Sequence, residues 1–212
     1  MTLPTILAFD TSAAHCAAAL LHGGTIVTRT DEMAKGQAEH LMPMLEEMLA
    51  EANLSWADLD GIGVGIGPGN FTGIRISVAA ARGLALGLGK KAIGVSTLDA
   101  LSFNLPGVIT CLKAPRNRAY VQMNGVAALC DITKDDLPKL HPQAETSVVG
   151  DAATEVAHVL GLPVLQPRHS VIEAIARIAA LGLQSATKPP APLYLREADA
   201  APPRDAPPVI LP

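Results

Sequence analysis

The residues that could do chemistry begin with a polar turn after the first apolar run of the chain. Residues 3–9 are typical of a short strand, and Asp10, Thr11 and Ser12 follow it directly. A carboxylate beside two hydroxyls could hold magnesium and the phosphates of a nucleotide. A polar β-turn, in which such side chains only bond nearby backbone groups, accounts for the same residues and is the commoner outcome. The three residues are therefore candidates for a cofactor site, with a structural turn as the alternative.

A glycine-rich segment at 61–89 also invites a nucleotide-binding interpretation, which its spacing excludes. The P-loop pattern ends in Gly-Lys-Ser or Gly-Lys-Thr, but here Gly73 is followed by Ile74 and Arg75. The dinucleotide pattern of three spaced glycines also fails, because in every register another residue stands at the third glycine. The segment therefore predicts no phosphate-binding loop.

Metal sites and activated nucleophiles are not predicted either. The six histidines are scattered, and none has a second histidine four residues away. Residues 94–98 begin like the turn that carries a nucleophilic serine, but Leu98 stands where the closing glycine belongs. No pair of carboxylates stands out as an acid and base couple. We therefore predict no catalytic residue and no metal ligand.

Composition limits the class of protein. The 212 residues are 49% hydrophobic and 17% charged, with a formal net charge of −4, which predicts a sizeable core and weak binding to nucleic acid. The one basic cluster apparent in the sequence is Lys113, Arg116 and Arg118. Three cysteines without close pairing fit a reducing cytoplasm. We expect neither a secretion signal at the start nor a membrane span, since arginines or a glycine-rich turn interrupt the apolar runs.

The order of the elements predicts an α/β fold with two lobes. Residues 1–104 alternate as βββ-α-β-α-β-α, which predicts a mixed, partly parallel sheet covered by helices. A break at Leu105–Gly107 separates this lobe from a smaller one at 105–187. The tail at 188–212 holds eight of the 17 prolines, so we expect it to be extended or disordered.

Two helices of the first lobe have unusual surfaces. The second, at Thr72–Leu88, has no polar face, because Arg75 and Arg82 are its only charged residues. Small residues recur every four positions at Gly73, Ser77, Ala81, Ala85 and Gly89, with a second row at Ala79, Gly83 and Gly87. Such a helix is either buried centrally in its own chain or part of a subunit interface. The first helix, within Gly36–Asn53, carries several methionines, which fill cores and adaptable contact surfaces alike.

Several segments together match a known family. They are ILAFDTS near the start, EHLMPMLEEML in the first helix, GPGNFTGIRISVAAARGLALGL, IGVSTLDAL, and PAPLYLR at residues 190–196. With them the chain resembles the TsaB family, also called YeaZ, of the bacterial threonylcarbamoyladenosine tRNA-modification system. The resemblance runs through residues 5–104 and returns in the tail. It is weaker in the second lobe, where residues 112–120 depart from the usual family pattern.

The resemblance implies an ASKHA fold (actin, sugar kinase, Hsp70) with a reduced second lobe. It also implies a non-catalytic subunit that binds and activates TsaD, which transfers threonylcarbamoyl to the adenosine beside the anticodon of tRNAs that read A-starting codons. TsaE would be a further partner, the isolated chain would form a homodimer, and tRNA would be met only through the complex. ATP and metal would belong to TsaD, whose paired histidine ligands correspond here to Thr97 and Leu101.

The resemblance further implies that the two first-lobe helices form the interface. The residues expected there are Met42, Met44, Leu45, Met48, Gly73, Arg75, Ser77, Val78, Ala81, Arg82 and Ala85. One alternative is a small actin-like ATP-dependent phosphotransferase that uses Asp10 and Thr11. Another is a peptidase, which would need a metal pair or an activated nucleophile that the spacing does not provide.

Overall fold

The computed structural model describes residues 3–133, 136–137 and 146–195, and the first lobe within it follows the order expected from the sequence. Its strands are β1 (Ile6–Asp10), β2 (His15–His22), β3 (Thr25–Glu32), β4 (Gly61–Gly65) and β5 (Lys91–Val95). They form one sheet in the order β3-β2-β1-β4-β5. The first three are an antiparallel meander, whereas β4 and β5 run parallel to β1. The mixed sheet predicted from the pattern of elements is therefore confirmed.

Two helices connect strands of this sheet, and a third follows β5 and leads to the second lobe. They are α1 (Gln37–Glu51), α2 (Phe71–Leu88) and α3 (Thr97–Ser102), with a short 3-10 turn at Trp56–Asp58 before β4. Pro43 lies inside α1, which begins six residues before it at Gln37. Helices α1 and α2 cover one face of the sheet, where Leu45, Phe9 and Ile74 belong to one buried cluster.

The other face of the first sheet is covered by a helix from much later in the chain. Helix α5 (Val171–Gly182) places Ile175 and Ala179 in a buried cluster with Ala8 and Val95. The sequence analysis assigned this segment to the second lobe. Its apolar face instead completes the first lobe, because β1 and β4 turn small residues toward it; a Cβ at Gly63 would already touch Ala179.

The second lobe repeats the topology of the first in shorter elements. Its strands are β6 (Val108–Ala114), β7 (Arg118–Met123), β8 (Val126–Asp131), β9 (Ser147–Val149) and β10 (Val164–Leu165), with helix α4 (Ala153–Leu160) before β10. The order β10-β9-β6-β7-β8 matches that of the first sheet when each strand is replaced by its counterpart. Strands β8 and β10 were not predicted, and their short or half-exposed sequences explain why.

The described part of the proline-rich tail is extended and folded back on the first lobe. Pro190 is buried beside Gly94, and the Leu193 N–H donates to the Ile66 carbonyl oxygen at 2.8 Å. We call residues 186–195 the C-terminal strap. Residues 188–195 of the predicted tail are extended, and the rest of it, 196–212, lies outside the described residues.

Candidate functional site

Helix α2 is fixed at both ends by its own sequence. At its start the Asn70 side chain accepts a hydrogen bond from the Gly73 N–H at 2.9 Å. At its end Gly89 adopts the left-handed conformation with φ 63°, and the Lys90 N–H donates to the Ala85 carbonyl oxygen at 3.0 Å. The helix begins one residue before the predicted Thr72 and ends at the predicted Leu88.

One row of small residues on α2 faces the chain's own sheet. Gly73, Ser77 and Ala81 are buried together with Ile74 and Val78. The Ser77 hydroxyl donates to the Gly65 carbonyl oxygen at 3.1 Å, which ties the helix to the end of β4. This row therefore lets α2 lie close to β4 and to the turn after β1.

The opposite side of α2 is exposed and combines small or apolar residues with two arginines. It consists of Thr72, Arg75, Ala79, Arg82, Gly83, Leu86 and Gly87, which we call the outer face. Leu86 is 85% exposed, and a Cβ added at Gly83 or Gly87 would meet nothing within 4 Å. The second small-residue row is therefore the one that remains open to another molecule.

The same helix passes a length and composition test for a membrane span. Its 18 residues have a mean hydropathy of 1.3, and 28% of them are buried. No membrane span was expected because Arg75 and Arg82 interrupt the apolar run, yet by length and composition alone this helix is long and apolar enough to cross a membrane. Core helices of soluble proteins pass it as well, and the inner side of α2 packs on the chain's own sheet.

Burial divides the residues that were expected to contact a partner. Those buried within the chain's own fold are Met44, Leu45, Met48, Gly73, Ser77, Val78 and Ala81. Those at least partly exposed are Met42, Arg75, Arg82 and Ala85. The buried set packs between the two helices and the sheet, so it cannot meet a partner in this conformation. Two of these four residues, Arg75 and Arg82, lie on the outer face. The interface itself stays a prediction.

Leu86 and Tyr194 belong to this surface and were missed. The two arginines did indicate that Leu86 would be exposed. Residues 75, 79, 82 and 86 share one helical face, and the charges on that face mark it as the solvent side of the helix. No signal in the sequence pointed to Tyr194, since it reaches the helix through the fold of the strap.

An aromatic and cationic cluster lies at the start of the outer face. The Arg75 guanidinium lies 3.8 Å from the centre of the Phe71 ring, and its Nε donates to the Tyr194 hydroxyl oxygen at 3.0 Å. The Phe71 and Tyr194 ring centres are 4.7 Å apart. The strap thus contributes the Tyr194 side chain to the surface of α2. The contacts with both rings fix the orientation of the Arg75 side chain.

The turn at Asp10, Thr11 and Ser12 is built into the core. Thr11 donates its hydroxyl to the Gly73 carbonyl oxygen at 2.7 Å, and Ser12 donates to Asp10 Oδ2 at 2.9 Å. His15 Nε2 lies 3.4 Å from the same oxygen. Asp10 Oδ1 is buried without a hydrogen-bond partner. Both hydroxyls thus have structural partners, as the polar-turn interpretation predicts, and one carboxylate oxygen remains for a ligand.

The positions that correspond to metal ligands in TsaD are also part of the core. Thr97 is 8% and Leu101 6% exposed. Across the described residues, no three histidine, cysteine or acidic side chains come together as a metal site. The basic turn of the second lobe is partly neutralised, because Lys113 Nζ pairs with Glu155 at 2.9 Å.

Comparisons with known proteins agree with this architecture. The family model described as TsaD, tRNA N6-adenosine threonylcarbamoyltransferase, matches residues 28–198. The tRNA threonylcarbamoyladenosine biosynthesis protein TsaB of Escherichia coli K12 is 39% identical over 97 residues, which are 46% of this chain and 42% of TsaB. An uncharacterized protein of Mycobacterium tuberculosis H37Rv is 31% identical over 94% of this chain and 95% of its own length.

A solved structure supports the same assignment. YeaZ from Pseudomonas aeruginosa superposes with a TM-score of 0.64 and 26% identity, covering 83% of this chain and 92% of YeaZ. The match to E. coli TsaB spans less than half of that protein, whereas the structural match extends over both lobes of this chain. The chain belongs to the TsaD-type tRNA N6-adenosine threonylcarbamoyltransferase family, and within it is similar to the TsaB and YeaZ proteins.

Proposed function

We propose that this chain is a non-catalytic subunit that binds a TsaD-type threonylcarbamoyltransferase through the outer face of α2. It would stabilise or activate that enzyme, which modifies the adenosine next to the anticodon of tRNAs that read A-starting codons. Relatives named for tRNA threonylcarbamoyladenosine biosynthesis support the pathway. The specific role in binding rests on the surface of the helix.

The observation that carries the proposal is an exposed row of small residues on α2 with an exposed leucine beside it. Ala79, Gly83 and Gly87 form a shallow groove along α2, and Leu86 stands beside it with most of its surface exposed. A partner helix can approach closely over such a row of small residues. Burial of the Leu86 side chain would contribute about 1.5–3 kcal/mol. Association costs more than this, roughly 4–15 kcal/mol, so the rest of the face must contribute as well.

The same face suits a second copy of the chain. In the absence of TsaD, two outer faces would pack on each other as an isologous homodimer. A face that serves both contacts cannot make them at once, so homodimer and heterodimer should compete. We place ATP and the catalytic metal on TsaD, and we propose TsaE as a further subunit of the complex.

The test is a bulky charge in the open groove. Gly83→Arg adds a side chain where nothing of this chain lies within 4 Å, so the fold should persist while partner packing is blocked. We expect at least a tenfold weaker association with TsaD from the same organism, measured by titration calorimetry. Val159→Arg, on the half-exposed surface of α4 in the second lobe, is the matched control. Equal affinities for the two variants would refute this site.

One alternative function is an actin-like phosphotransferase that binds magnesium and ATP at the turn after β1. It is favoured by Asp10 Oδ1, which has no hydrogen-bond partner among the described residues. Calorimetry of the isolated chain with ATP and Mg²⁺ separates the two functions. Micromolar binding that Asp10→Asn abolishes, with turnover of the nucleotide, would favour the phosphotransferase over the accessory subunit.

A further inference from the structure

A second feature adjoins the outer face on the side where the C-terminal strap runs, and it shares Arg82, Gly83 and Leu86 with that face. A groove of about 670 Å³ separates the last turns of α2 from the strap. Small and apolar groups form much of its lining, among them Ala85, Ala92 and Pro190. Four basic residues complete it: Arg82, Lys90, Lys91 and Lys188. They come from α2, from the start of β5 and from the strap, so the fold assembles a cluster that is not apparent in the sequence.

None of the described residues that line this groove is acidic, so its charge is not balanced by the described lining. Lys91 is used by the fold, because its Nζ donates to the Leu183 and Gln184 carbonyl oxygens near the end of α5. Lys90 acts on Asp58, whose pKa is lowered by hydrogen bonds from Ser55 and by this lysine; Asp58 itself lies outside the groove. No ion pair within the described residues engages Arg82 or Lys188.

This arrangement departs from the rest of the molecule. The chain has a net charge of −4, yet here three available cations border one concave surface. Segregated charge of this kind attracts polyanions in spite of an opposite net charge. The basic turn of the second lobe is less suitable, because Glu155 already pairs with Lys113.

We infer that the groove between α2 and the strap binds backbone phosphates of the tRNA substrate. The inference rests on the proposed function, since the groove borders the outer face and would lie beside a TsaD bound there. Lys90 and Lys188, which lie off the outer face, would each neutralise a phosphate, a contact that needs a cation and no particular base. The chain would thereby help to position the tRNA in addition to holding the enzyme.

An acidic segment of a protein is the competing ligand, and the walls of the groove favour RNA over it. Pro189 and Pro190 form part of one wall, and proline has no N–H to pair with an extended peptide. The opposite wall is the side of a helix, whose backbone groups are already bonded. Flexible cationic side chains over a small apolar floor suit phosphates better than a peptide backbone.

The test replaces two lysines that lie off the outer face. In Lys90→Gln/Lys188→Gln, binding of an unmodified tRNA transcript is measured between about 50 and 200 mM salt, with the TsaD complex and with the isolated chain. Loss of two phosphate contacts should make the slope of log K against log salt shallower by about 1.8. Arg116→Gln in the second lobe is the control and should leave the slope unchanged. Affinity for TsaD is measured in the same preparations.

These readouts separate the inference from the proposed function. A shallower slope for the lysine variant, with TsaD affinity unchanged, supports the tRNA site. An unchanged slope overturns it, whether or not TsaD binds. A weaker association with TsaD at an unchanged slope also overturns it and assigns the groove to an acidic protein segment. A shallower slope for the lysine variant together with failure of Gly83→Arg to weaken the TsaD complex would count against the outer face and leave the tRNA site standing.

Discussion

The backbones of Gly73 and Thr11 lie closer together than any side chain at position 73 would permit. The Thr11 hydroxyl donates to the Gly73 carbonyl oxygen at 2.7 Å. A Cβ on Gly73 would overlap the carbonyl oxygen of Thr11, which belongs to the backbone and cannot move away cheaply. Helix α2 therefore packs directly on the polar turn after β1, and the position of the outer face depends on this contact.

Gly73→Ala should therefore destabilise the fold, although alanine is the better helix former. Overpacking against backbone typically costs about 1–3 kcal/mol, which exceeds the roughly 1 kcal/mol that alanine gains over glycine in a helix. Urea unfolding followed by circular dichroism measures the change in the free energy of unfolding. Gly83→Ala is the matched control in the same helix, where the added methyl meets open space. It should raise stability by about 0.5–1 kcal/mol, and equal signs for the two variants would contradict the assignment of the faces.

The strap should be held to α2 by Tyr194. Tyr194→Ala removes the ring that stacks on Phe71 and the acceptor for Arg75, so it should cost about 1–2 kcal/mol of stability. Tyr194→Phe keeps the ring and loses only the hydroxyl, so its cost should stay below about 1 kcal/mol. Limited proteolysis within the strap is the second measurement. Protease resistance of the alanine variant equal to that of the parent would show that the cluster does not hold the strap.

The first lobe was predictable because each of its elements carries its own local signals. Asn70 and Gly89 mark the ends of α2, and the alternation of strands and helices sets the mixed sheet. The role of α5 was not predictable in this way. The apolar face of α5 shows that this helix must be buried but does not show against which sheet. The sheet is decided by contacts between residues that lie far apart in the sequence.

The candidate surface shows the same limit. Both rows of small residues on α2 were visible in the sequence, but periodicity alone could not tell the inner row from the outer one. The decision is made by Thr11 and Gly65, which accommodate Gly73 and Ser77 and so fix the rotation of the helix about its axis. The cationic groove depends on tertiary structure even more. Lys188 and Arg82 line the same groove only because the strap folds back toward α2.

Two of the cysteines should be unreactive in the folded chain. Burial raises the pKa of the Cys111 thiol to about 12 and that of Cys16 to about 11, so little reactive thiolate exists at pH 8. Each thiol also donates to a backbone carbonyl at 3.5 Å, Cys111 to Val149 and Cys16 to Gln37. Iodoacetamide at pH 8 followed by peptide mass mapping should label neither residue without denaturant and both in 6 M guanidinium (about the concentration that unfolds most domains). Rapid native labelling of Cys111 would mean that the second lobe opens readily.

Stability should depend on pH through His15. Its interaction with Asp10 Oδ2 at 3.4 Å raises the pKa of His15 above 6.5, and the negative charge of Glu32 acts in the same direction. A raised pKa in the folded state means that the protonated form is stabilised by folding. The contribution is therefore complete below about pH 6.5 and is lost as the pH rises through the folded-state pKa. His15→Gln should accordingly lower the free energy of unfolding more at pH 5.5 than at pH 8.5, by up to about 1 kcal/mol for a partly exposed pair. Urea titrations at both pH values measure this difference, and repeating them in Asp10→Asn, where the charge of the partner is gone, supplies the control. If the cost of His15→Gln were the same at the two pH values, or if its pH dependence survived in Asp10→Asn, the pair would not be the origin of the effect.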